Sequence, residues 1–432
     1  MNELFDNQLA LIARRWPQLA DSLVRQEVDS LQAELIEGHE STLLIQGIQL
    51  TSRHDRQGEA RLQAASVPEA SPVVHLYGTG LGELATLLLR RPALRQLRVH
   101  ILNEALFSLV LRLLDQPWLA DPRVELQLAA DSKEIALPFI ALPAELMLTS
   151  EANAKLRDRL VAQIELPYVN RQFDPAQPHR RERIRSNHAL LAQDRDVAEL
   201  FGSRPGGEAL VVATGPTLAR HYARLQQIMA QPQRPLLICV DTAYRPLREQ
   251  GIRPDLIVST DINIHGGILL PDMSESTGLV YFPMVTPEVL SAWQGPRYGA
   301  YSASPLYEEV RGLFPRGELF SSGSVLHPAV DLAVKMGASR VTLLGADFAF
   351  IGSQTHAGWP AGLLTPANMS QHWVLNGHGQ RVTTLLNFRS YLCYLERYIA
   401  AHPEVQFFNT CREGALIDGA AYDPAWLTEA SS

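Results

Sequence analysis

Three short turns constrain the fold of this chain more than any other feature. They lie at residues 214–217, 322–325 and 345–347. Each stands where an apolar, β-branched run gives way to a helical pattern, or directly follows such a run. In an open α/β sheet these junctions lie along the carboxyl ends of the strands, where ligands bind. The three turns therefore predict an α/β fold with a nucleotide-type site along one sheet edge.

Apolar runs and helical patterns alternate through the second part of the chain. This alternation predicts a mainly parallel sheet with right-handed crossovers. The expected strands are 209–213, 236–240, 256–259, 279–282, 341–344 and 405–408. The expected helices are 218–229, 325–336 and 384–400.

The first part of the chain predicts a second unit of the same kind. Residues 1–36 fit amphipathic helices, and 42–66 a hairpin-like region. A strand at 73–77, a helical pattern at 84–89 and a strand at 97–102 form one βαβ unit. The expected fold class is α/β, with two Rossmann-like units, mainly parallel sheets and flanking helices.

We expect an N-terminal domain at residues 1–170, a linker at 171–185 and a catalytic domain at 186–432, because 432 residues exceed one ordinary core. The linker is rich in Pro and Arg. Its arginines favour a solvated face over a contact with phosphate or an acidic partner. The C-terminal domain ends in a predicted helix and strand.

Composition and charge exclude several classes of protein. The net charge of −8 argues against nonspecific nucleic-acid binding, which needs a basic face. The three cysteines are widely spaced, so a disulfide framework or zinc site is not expected, and a reducing compartment fits best. The N-terminus does not read as a signal peptide. The most apolar stretch, 135–148, is broken by prolines and Glu145, so we expect a cytoplasmic protein without a membrane span.

The glycines at positions 78, 80 and 82, with Glu104 after the next strand, have the layout of a dinucleotide or S-adenosylmethionine site. Glycines let a ligand approach the backbone, and an acid at the next strand end holds a ribose. Tight strand–helix turns need glycine regardless of any ligand. A structural role is favoured, and ligand binding remains the alternative.

The turn after the strand at 209–213 carries Thr214, Gly215, Pro216 and Thr217. Gly215 is expected to permit an unusual backbone angle, and Pro216 fits a first helical turn. The Thr217 hydroxyl either caps amides or binds a ligand. The turn lacks the lysine of a phosphate-binding loop, which disfavours a P-loop kinase.

The turn formed by Ser322, Gly323 and Ser324 precedes a helix. Ser324 is the expected N-cap, and Pro328 lies within the first four helical residues, whose amides have no intrahelical partner. These amides and the helix dipole predict an anion site suited to a phosphate. Capping alone is the alternative.

Four aspartates flank predicted strands. Asp241, Asp261 and Asp347 follow strands and Asp255 precedes one, and we expect all four along one edge. Such acids hold ribose hydroxyls, a metal or an amine, or cap turns. The spacing contains no tight metal triad, so the sequence leaves metal binding open.

Histidines are the candidates for proton transfer. His356 and His378 lie in Gly-rich loops on the expected ligand edge, and His265 is a weaker candidate. An exposed loop histidine without a role is the alternative for each.

Together these segments resemble the motility accessory factor family, the DUF115 group, whose members are linked to flagellin glycosylation with nonulosonic acids. The matching segments are VATGPT at 212–217, DTA at 241–243, GIRPD at 251–255, STD at 259–261, GSV at 323–325, LGADFAF at 344–350, THA at 355–357 and NTCREGA at 409–415. Thr217 stands where Ser is usual in the family. The same core is similar to bacterial sialyltransferases that use CMP-sialic acid, in which two such turns bind CMP and a later histidine is the base.

The resemblance implies a glycosyltransferase that moves a pseudaminic- or legionaminic-type acid from a CMP-sugar to Ser or Thr of flagellin, by inversion, for flagellum assembly and motility. It implies His356 or His378 as the base, with Asp347 in the catalytic set. The implied nucleotide-sugar-binding residues are Thr214, Gly215, Pro216, Thr217, Asp241, Thr242, Asp261, Ser322, Gly323, Ser324 and Gly345.

Two alternatives stay open. An archaeal branch of the DUF115 group resembles 6-hydroxymethylpterin pyrophosphokinases, for which the aspartates would serve ATP and Mg²⁺. A non-enzymatic flagellin-binding chaperone is the other. The sequence leaves the sugar, the acceptor residues, a role for Mg²⁺ and the oligomeric state open.

Overall fold

The computed structural model describes residues 2–131, 134–172, 177–352, 357 and 372–427, and for residues 166–172 it describes the backbone alone. The chain divides into two compact units, Met1–Ile164 and Glu165–Ser432. We call them unit 1 and unit 2.

Unit 1 combines a parallel sheet with an antiparallel one. Its helices are α1 Glu3–Arg15, α2 Pro17–Val24, α3 Arg56–Ala64, α4 Glu83–Leu88, α5 Glu104–Leu113 and α6 Pro143–Met147, and α7 Ala154–Gln172 continues into unit 2. Its strands are β1 Glu34–Ile36, β2 Thr42–Ile45, β3 Ile48–Gln49, β4 Val73–Tyr77, β5 Gln96–Ile101, β6 Val124–Leu128 and β7 Phe139–Ala141.

The parallel sheet of unit 1 has the order β6-β5-β4-β7, and β1, β2 and β3 form the antiparallel sheet. The βαβ unit predicted around β4 and β5 is present. The apolar side chains of these two strands form the core with α1, α2 and α5. The predictions did not include β6 and β7, because β6 alternates polar and apolar residues and β7 has only three residues.

Unit 2 contains the longer sheet. Its helices are α8 Pro178–Ser186, α9 His188–Gln193, α10 Tyr222–Met229, α11 Asp241–Glu249, α12 Gly266–Leu269, α13 Pro287–Ala292, α14 Glu308–Leu313, α15 Leu326–Lys335 and α16 Leu386–Ala401. Its strands are β8 Arg195–Asp196, β9 Glu208–Val212, β10 Leu236–Val240, β11 Leu256–Ser259, β12 Gly278–Tyr281, β13 Arg297–Gly299, β14 Arg340–Leu344, β15 Trp373–Leu375, β16 Arg381–Thr383, β17 Gln406–Asn409 and β18 Ala420–Tyr422.

Among the described residues, nine strands pair in the order β18-β17-β14-β9-β10-β11-β12-β13-β8, and every pair is parallel. Every residue of β10 is buried, as expected for a strand covered on both faces. The chain runs outward from β9 through β13 and then returns to β14 on the other side of β9. This reversal of strand order is the topological switch point, where ligands bind in such sheets.

The expected α/β fold class is confirmed. The six strands predicted in unit 2 correspond to β9, β10, β11, β12, β14 and β17, with ends that differ by one residue at most. The strands of this sheet that were missed, β8, β13 and β18, have two or three residues each and lie toward the sheet margins. Strands β15 and β16, which pair in a separate sheet of two three-residue strands, were also missed. Helices α7 and α8 contain residues 171–172 and 178–185 of the predicted linker. The predicted domain boundaries stay predictions.

Across the described ranges, none of the helices combines the length and apolar character needed to cross a bilayer.

Candidate functional site

The carboxyl ends of four neighbouring strands in unit 2 carry most of the predicted site residues. The turn of Thr214 and Gly215 follows β9, Asp241 follows β10, Asp261 follows β11, and Gly345 with Asp347 follows β14. Because these strands are adjacent and parallel, their ends share one edge of the sheet, and β9 and β14 meet there at the switch point.

Gly215 packs directly against the turn that follows β14. Its amide N–H donates to the carbonyl of Gly345 at 2.8 Å. A Cβ at position 215 would lie 2.4 Å from both that oxygen and Oδ2 of Asp347. The expected unusual backbone angle is wrong, because φ is −58° and ψ is 156°. Glycine is required here because two loops approach closely.

Thr217 donates to both carboxylate oxygens of Asp347, and both residues are buried. Burial raises the pKa of Asp347 to about 6, and the bonds from Thr217 oppose that rise. This carboxylate ties the β9 turn to the β14 turn.

Pro216 begins a 3-10 turn, Pro216–His221, which leads into α10. The predicted single helix at 218–229 is therefore two segments. Pro216 occupies the first position of the turn, where its missing N–H costs no hydrogen bond.

Asp241 has a comparable bracing position between β10 and β11. Its Oδ2 accepts from the Ser259 hydroxyl at 2.9 Å, and its Oδ1 accepts from the Thr242 amide at 2.8 Å. Burial raises the pKa of Asp241 to about 7. The hydroxyl of Thr242 pairs with that of Thr214 at 2.6 Å, which joins the ends of β9 and β10.

Asp261 differs from the other two because it is exposed. Its Oδ1 accepts from the Asn263 amide at 2.8 Å. Asp255 was expected on the same edge, and this expectation is wrong. It precedes β11 and so lies at the amino end of that strand, where it forms two 2.7 Å bonds with Arg234.

The turn of Ser322, Gly323 and Ser324 contacts two aromatic side chains, Tyr391 and His327. Gly323 has φ of +88°, and a Cβ there would lie 2.5 Å from Cε1 of Tyr391 on α16. The Ser324 hydroxyl oxygen accepts from the Leu326 amide at 3.3 Å. Among the described residues, the amides of positions 323, 324 and 325 have no hydrogen-bond acceptor. They remain available to an anion at the start of α15.

His327 is the second ring, and the sequence reasoning missed it. Its Nδ1 accepts from the Ser322 amide at 3.3 Å, so Nε2 carries the proton that it donates to the carbonyl of Tyr391 at 2.9 Å. The side chain is fully buried, and burial lowers its pKa to about 4. The neutral imidazole therefore links the turn of Ser322 to α16.

Of the two candidate bases, only His378 lies within the described residues. His378 is exposed in the turn between β15 and β16, where its amide donates to Oδ1 of Asn376 at 2.9 Å. Asn376 bridges to Ala415, whose amide donates to the carbonyl of Asp347 at 2.7 Å. His356 lies outside the described residues. The residue after it, Ala357, donates its amide N–H to the carbonyl of Thr214 at 2.8 Å.

A charged cluster after β17 was also missed. The Cys411 thiol donates to Oε2 of Glu413 at 2.9 Å, and the other oxygen of Glu413 pairs with Arg220. Although burial alone would raise the pKa of Glu413, the bonds from Cys411 and Arg220 bring it down to about 2. Burial raises the pKa of Cys411 to about 12, so this thiol stays protonated. The partly exposed Arg220 is a cation beside Asp347.

The described residues contain no group of three or more His, Cys, Asp or Glu side chains that could hold a metal ion. A 280 Å³ cavity of unit 2 lies between α8 and α14, and its lining includes Arg181, Arg185 and Glu309 but none of the predicted site residues.

In unit 1, Glu104 accepts hydrogen bonds from Ser22 of α2 and from Gln26, which follows that helix. The acid expected to bind a ribose therefore helps to dock an N-terminal helix.

Comparison with known proteins bears on the same region. A family model described as MptE-like 6-hydroxymethylpterin diphosphokinase matches residues 182–353, a range that contains β9 to β14 and their turns. The solved structure of the MAf glycosyltransferase from Magnetospirillum magneticum AMB-1 is similar at 15% identity and a TM-score of 0.44, covering 100% of this chain and 76% of that one. No curated protein matches the chain. The match of the family model supports the resemblance drawn from the motifs over residues 182–353.

Proposed function

We propose that this protein is a glycosyltransferase, which moves a nonulosonic acid of the pseudaminic or legionaminic type from a CMP-sugar to Ser or Thr of flagellin. The observation that carries the proposal is the pair of turns at the carboxyl edge of the unit 2 sheet. One, at Gly215, is packed against Asp347, and the other presents the amides of residues 323–325, which have no acceptor among the described residues. The specific sugar and acceptor come from the family resemblance.

The turn at residues 322–325 would supply amide donors for the phosphate of the departing CMP. When the sugar leaves CMP, negative charge develops on the phosphate. Fixed amide donors stabilise such charge without reorganising during the reaction. Gly323 and Ser324 would provide these donors, with the dipole of α15 behind them. Arg220 provides a cation along the same edge.

The contacts divide the predicted site residues into two groups. Thr217, Asp347 and Asp241 bond mainly to other protein groups, so we assign them to holding the turns in place. Thr214 and Thr242, whose hydroxyls bond to each other, belong to the same group, and the exposed Asp261 is assigned to ribose, base or sugar contacts. The acceptor hydroxyl would lose its proton to His356 or His378, and general-base catalysis of this kind contributes about 10²–10⁴ in rate.

The test is a transfer assay with purified flagellin and CMP-pseudaminic or CMP-legionaminic acid, read by intact mass. A flagellin mass increase equal to the sugar residue, with CMP released, is expected. Unmodified flagellin with both donors, together with no CMP binding, would overturn the proposal. Tight flagellin binding without any nucleotide effect would instead indicate a chaperone.

A second candidate is a 6-hydroxymethylpterin diphosphokinase, because the matching family model carries that description. Such an enzyme would bind ATP and Mg²⁺ at the same edge, with Asp261 as the exposed carboxylate. Thermal-shift titrations with CMP and with ATP plus Mg²⁺ separate the two. Stabilisation by ATP with Mg²⁺ and a pterin, but not by CMP, would favour the kinase.

A further inference from the structure

The glycine-rich loop of unit 1 already holds a carboxyl group of the chain's own. This loop, residues 78–82, connects β4 to α4. The amides of Thr79 and Gly80 both donate to Oε1 of Glu145, and the Thr79 bond is 2.6 Å long. Two successive amides that converge on one oxygen are the arrangement by which such loops bind phosphate.

Glu145 comes from α6, directly after β7, which neighbours β4 in the sheet. Its side chain is 1% exposed. A Cβ at position 78 would lie 2.9 Å from its carboxyl carbon, and Gly78 has φ of +98°. The glycine therefore serves the approach of this side chain, which is the role that a ligand phosphate has in a dinucleotide site.

The rest of the loop is also committed to protein contacts. A Cβ at Gly82 would lie 2.2 Å from Oε1 of Gln116, whose Nε2 donates to the carbonyl of Leu81 at 3.2 Å. Beside the loop is a cavity of about 270 Å³, lined in part by Thr79, Gly80 and Arg56. The space next to the loop is open, while the amide position itself is filled.

We propose that the Glu145 carboxyl group is a resident occupant of the phosphate position of the 78–82 loop, so that unit 1 keeps the shape of a nucleotide-binding unit without binding a nucleotide phosphate there. Removal of this side chain beyond Cβ leaves a seat that fits a small carboxylate. The missing atoms of Glu145→Ala correspond to acetate.

The test measures thermal unfolding of the full chain with Glu145→Ala, Glu69→Ala and no substitution. Glu69 is an exposed residue of the same unit and serves as the control. We expect Glu145→Ala to lower the midpoint by about 5 °C. Acetate should raise it along a saturable curve at constant ionic strength, with inorganic phosphate acting similarly and chloride not. The control and the unsubstituted protein should share whatever response anion binding at the 322–325 turn of unit 2 gives, so the seat in unit 1 is measured by the additional response of Glu145→Ala.

Either of two results would overturn the proposal. One is a Glu145→Ala protein whose midpoint does not respond to acetate or phosphate beyond the Glu69→Ala response. The other is an unsubstituted protein stabilised by phosphate to the same extent as Glu145→Ala. If Glu145→Ala does not remain folded in buffer, refolding from urea gives the same decision: recovery should depend on acetate, and equal recovery in chloride would count against the resident carboxyl group.

Discussion

Thr217 donates to both oxygens of Asp347, from its amide to Oδ2 at 2.9 Å and from its hydroxyl to Oδ1 at 2.6 Å. The two residues are 130 positions apart. The Asp347 side chain therefore fixes the relative position of the turns that follow the neighbouring strands β9 and β14.

Replacement of that hydroxyl gives the first prediction. Thr217→Val keeps the shape but leaves Oδ1 of a buried carboxyl without its donor. The free energy of unfolding should fall by about 1–3 kcal/mol, as for other buried polar groups that lose a partner. Thr217→Ser retains the hydroxyl and should lose less than half as much. Urea unfolding measures both, and equal losses would show that the hydroxyl bond is not what matters.

Gly215→Ala should be destabilising for a steric reason. Its Cβ would lie 2.4 Å from two oxygens, and an overpacked site of this kind costs about 1–3 kcal/mol. Gly312→Ala is the matched control, since its Cβ meets nothing within 4 Å and the residue lies in α14. That variant should be neutral or more stable. A Gly215→Ala protein as stable as Gly312→Ala would contradict the close approach described here.

Asp241 predicts a pH dependence of stability. Its pKa rises from 3.8 to about 7 on folding, so between these values the folded protein binds more protons than the unfolded one. The free energy of unfolding therefore falls as pH rises from about 4 to about 7. Asp241→Asn should make this fall smaller, although Asp347 and Glu145 contribute in the same direction. Denaturant titrations across this range, with the exposed Asp272→Asn as control, provide the measurement.

His327 should affect donor binding more than acceptor binding. His327→Phe fills the ring volume but removes both bonds between the 322–325 turn and α16. If the turn holds the donor phosphate, the KM for the CMP-sugar should rise about tenfold while the KM for flagellin stays constant. His402→Phe, which loses one bond to Tyr398 elsewhere on α16, is the control. Equal changes in both variants would assign His327 to stability alone.

The base is tested by two single substitutions. At least one of His356→Ala and His378→Ala should lose transfer by about 10²-fold or more while CMP binding is retained. Circular dichroism checks that each variant is folded. If both variants keep full activity, the acceptor is not deprotonated by either histidine.

The strands at the centre of the unit 2 sheet could be predicted because they are continuous apolar runs of four or five residues. The short marginal strands could not, since two or three residues carry no readable pattern. The turns at Gly215 and Gly345 were located correctly from the same runs.

The function of individual side chains was harder to predict. Whether Thr217 faces a ligand or Asp347 depends on a pairing across 130 residues, which no local pattern encodes. His327 and Cys411 were missed for the same reason. Glu145 was noted only as an interruption of an apolar stretch, and its contact with Thr79 appears only when β7 is placed beside β4.

The parallel topology of unit 2 also determines when the site exists during synthesis. Strand β9 leaves the ribosome early, but its neighbour β14 follows only after the whole series from β10 to β13 has been made. Until then one edge of β9 is unpaired, and Gly215 lacks the turn of Gly345 and Asp347 against which it packs. Pairings between such distant segments form slowly and leave strand edges exposed in the meantime. Before β14 is made, the nascent chain therefore contains most strands of the sheet but not the paired turns that form the site. A chaperone that covers the open edge of β9 would be most useful during this interval.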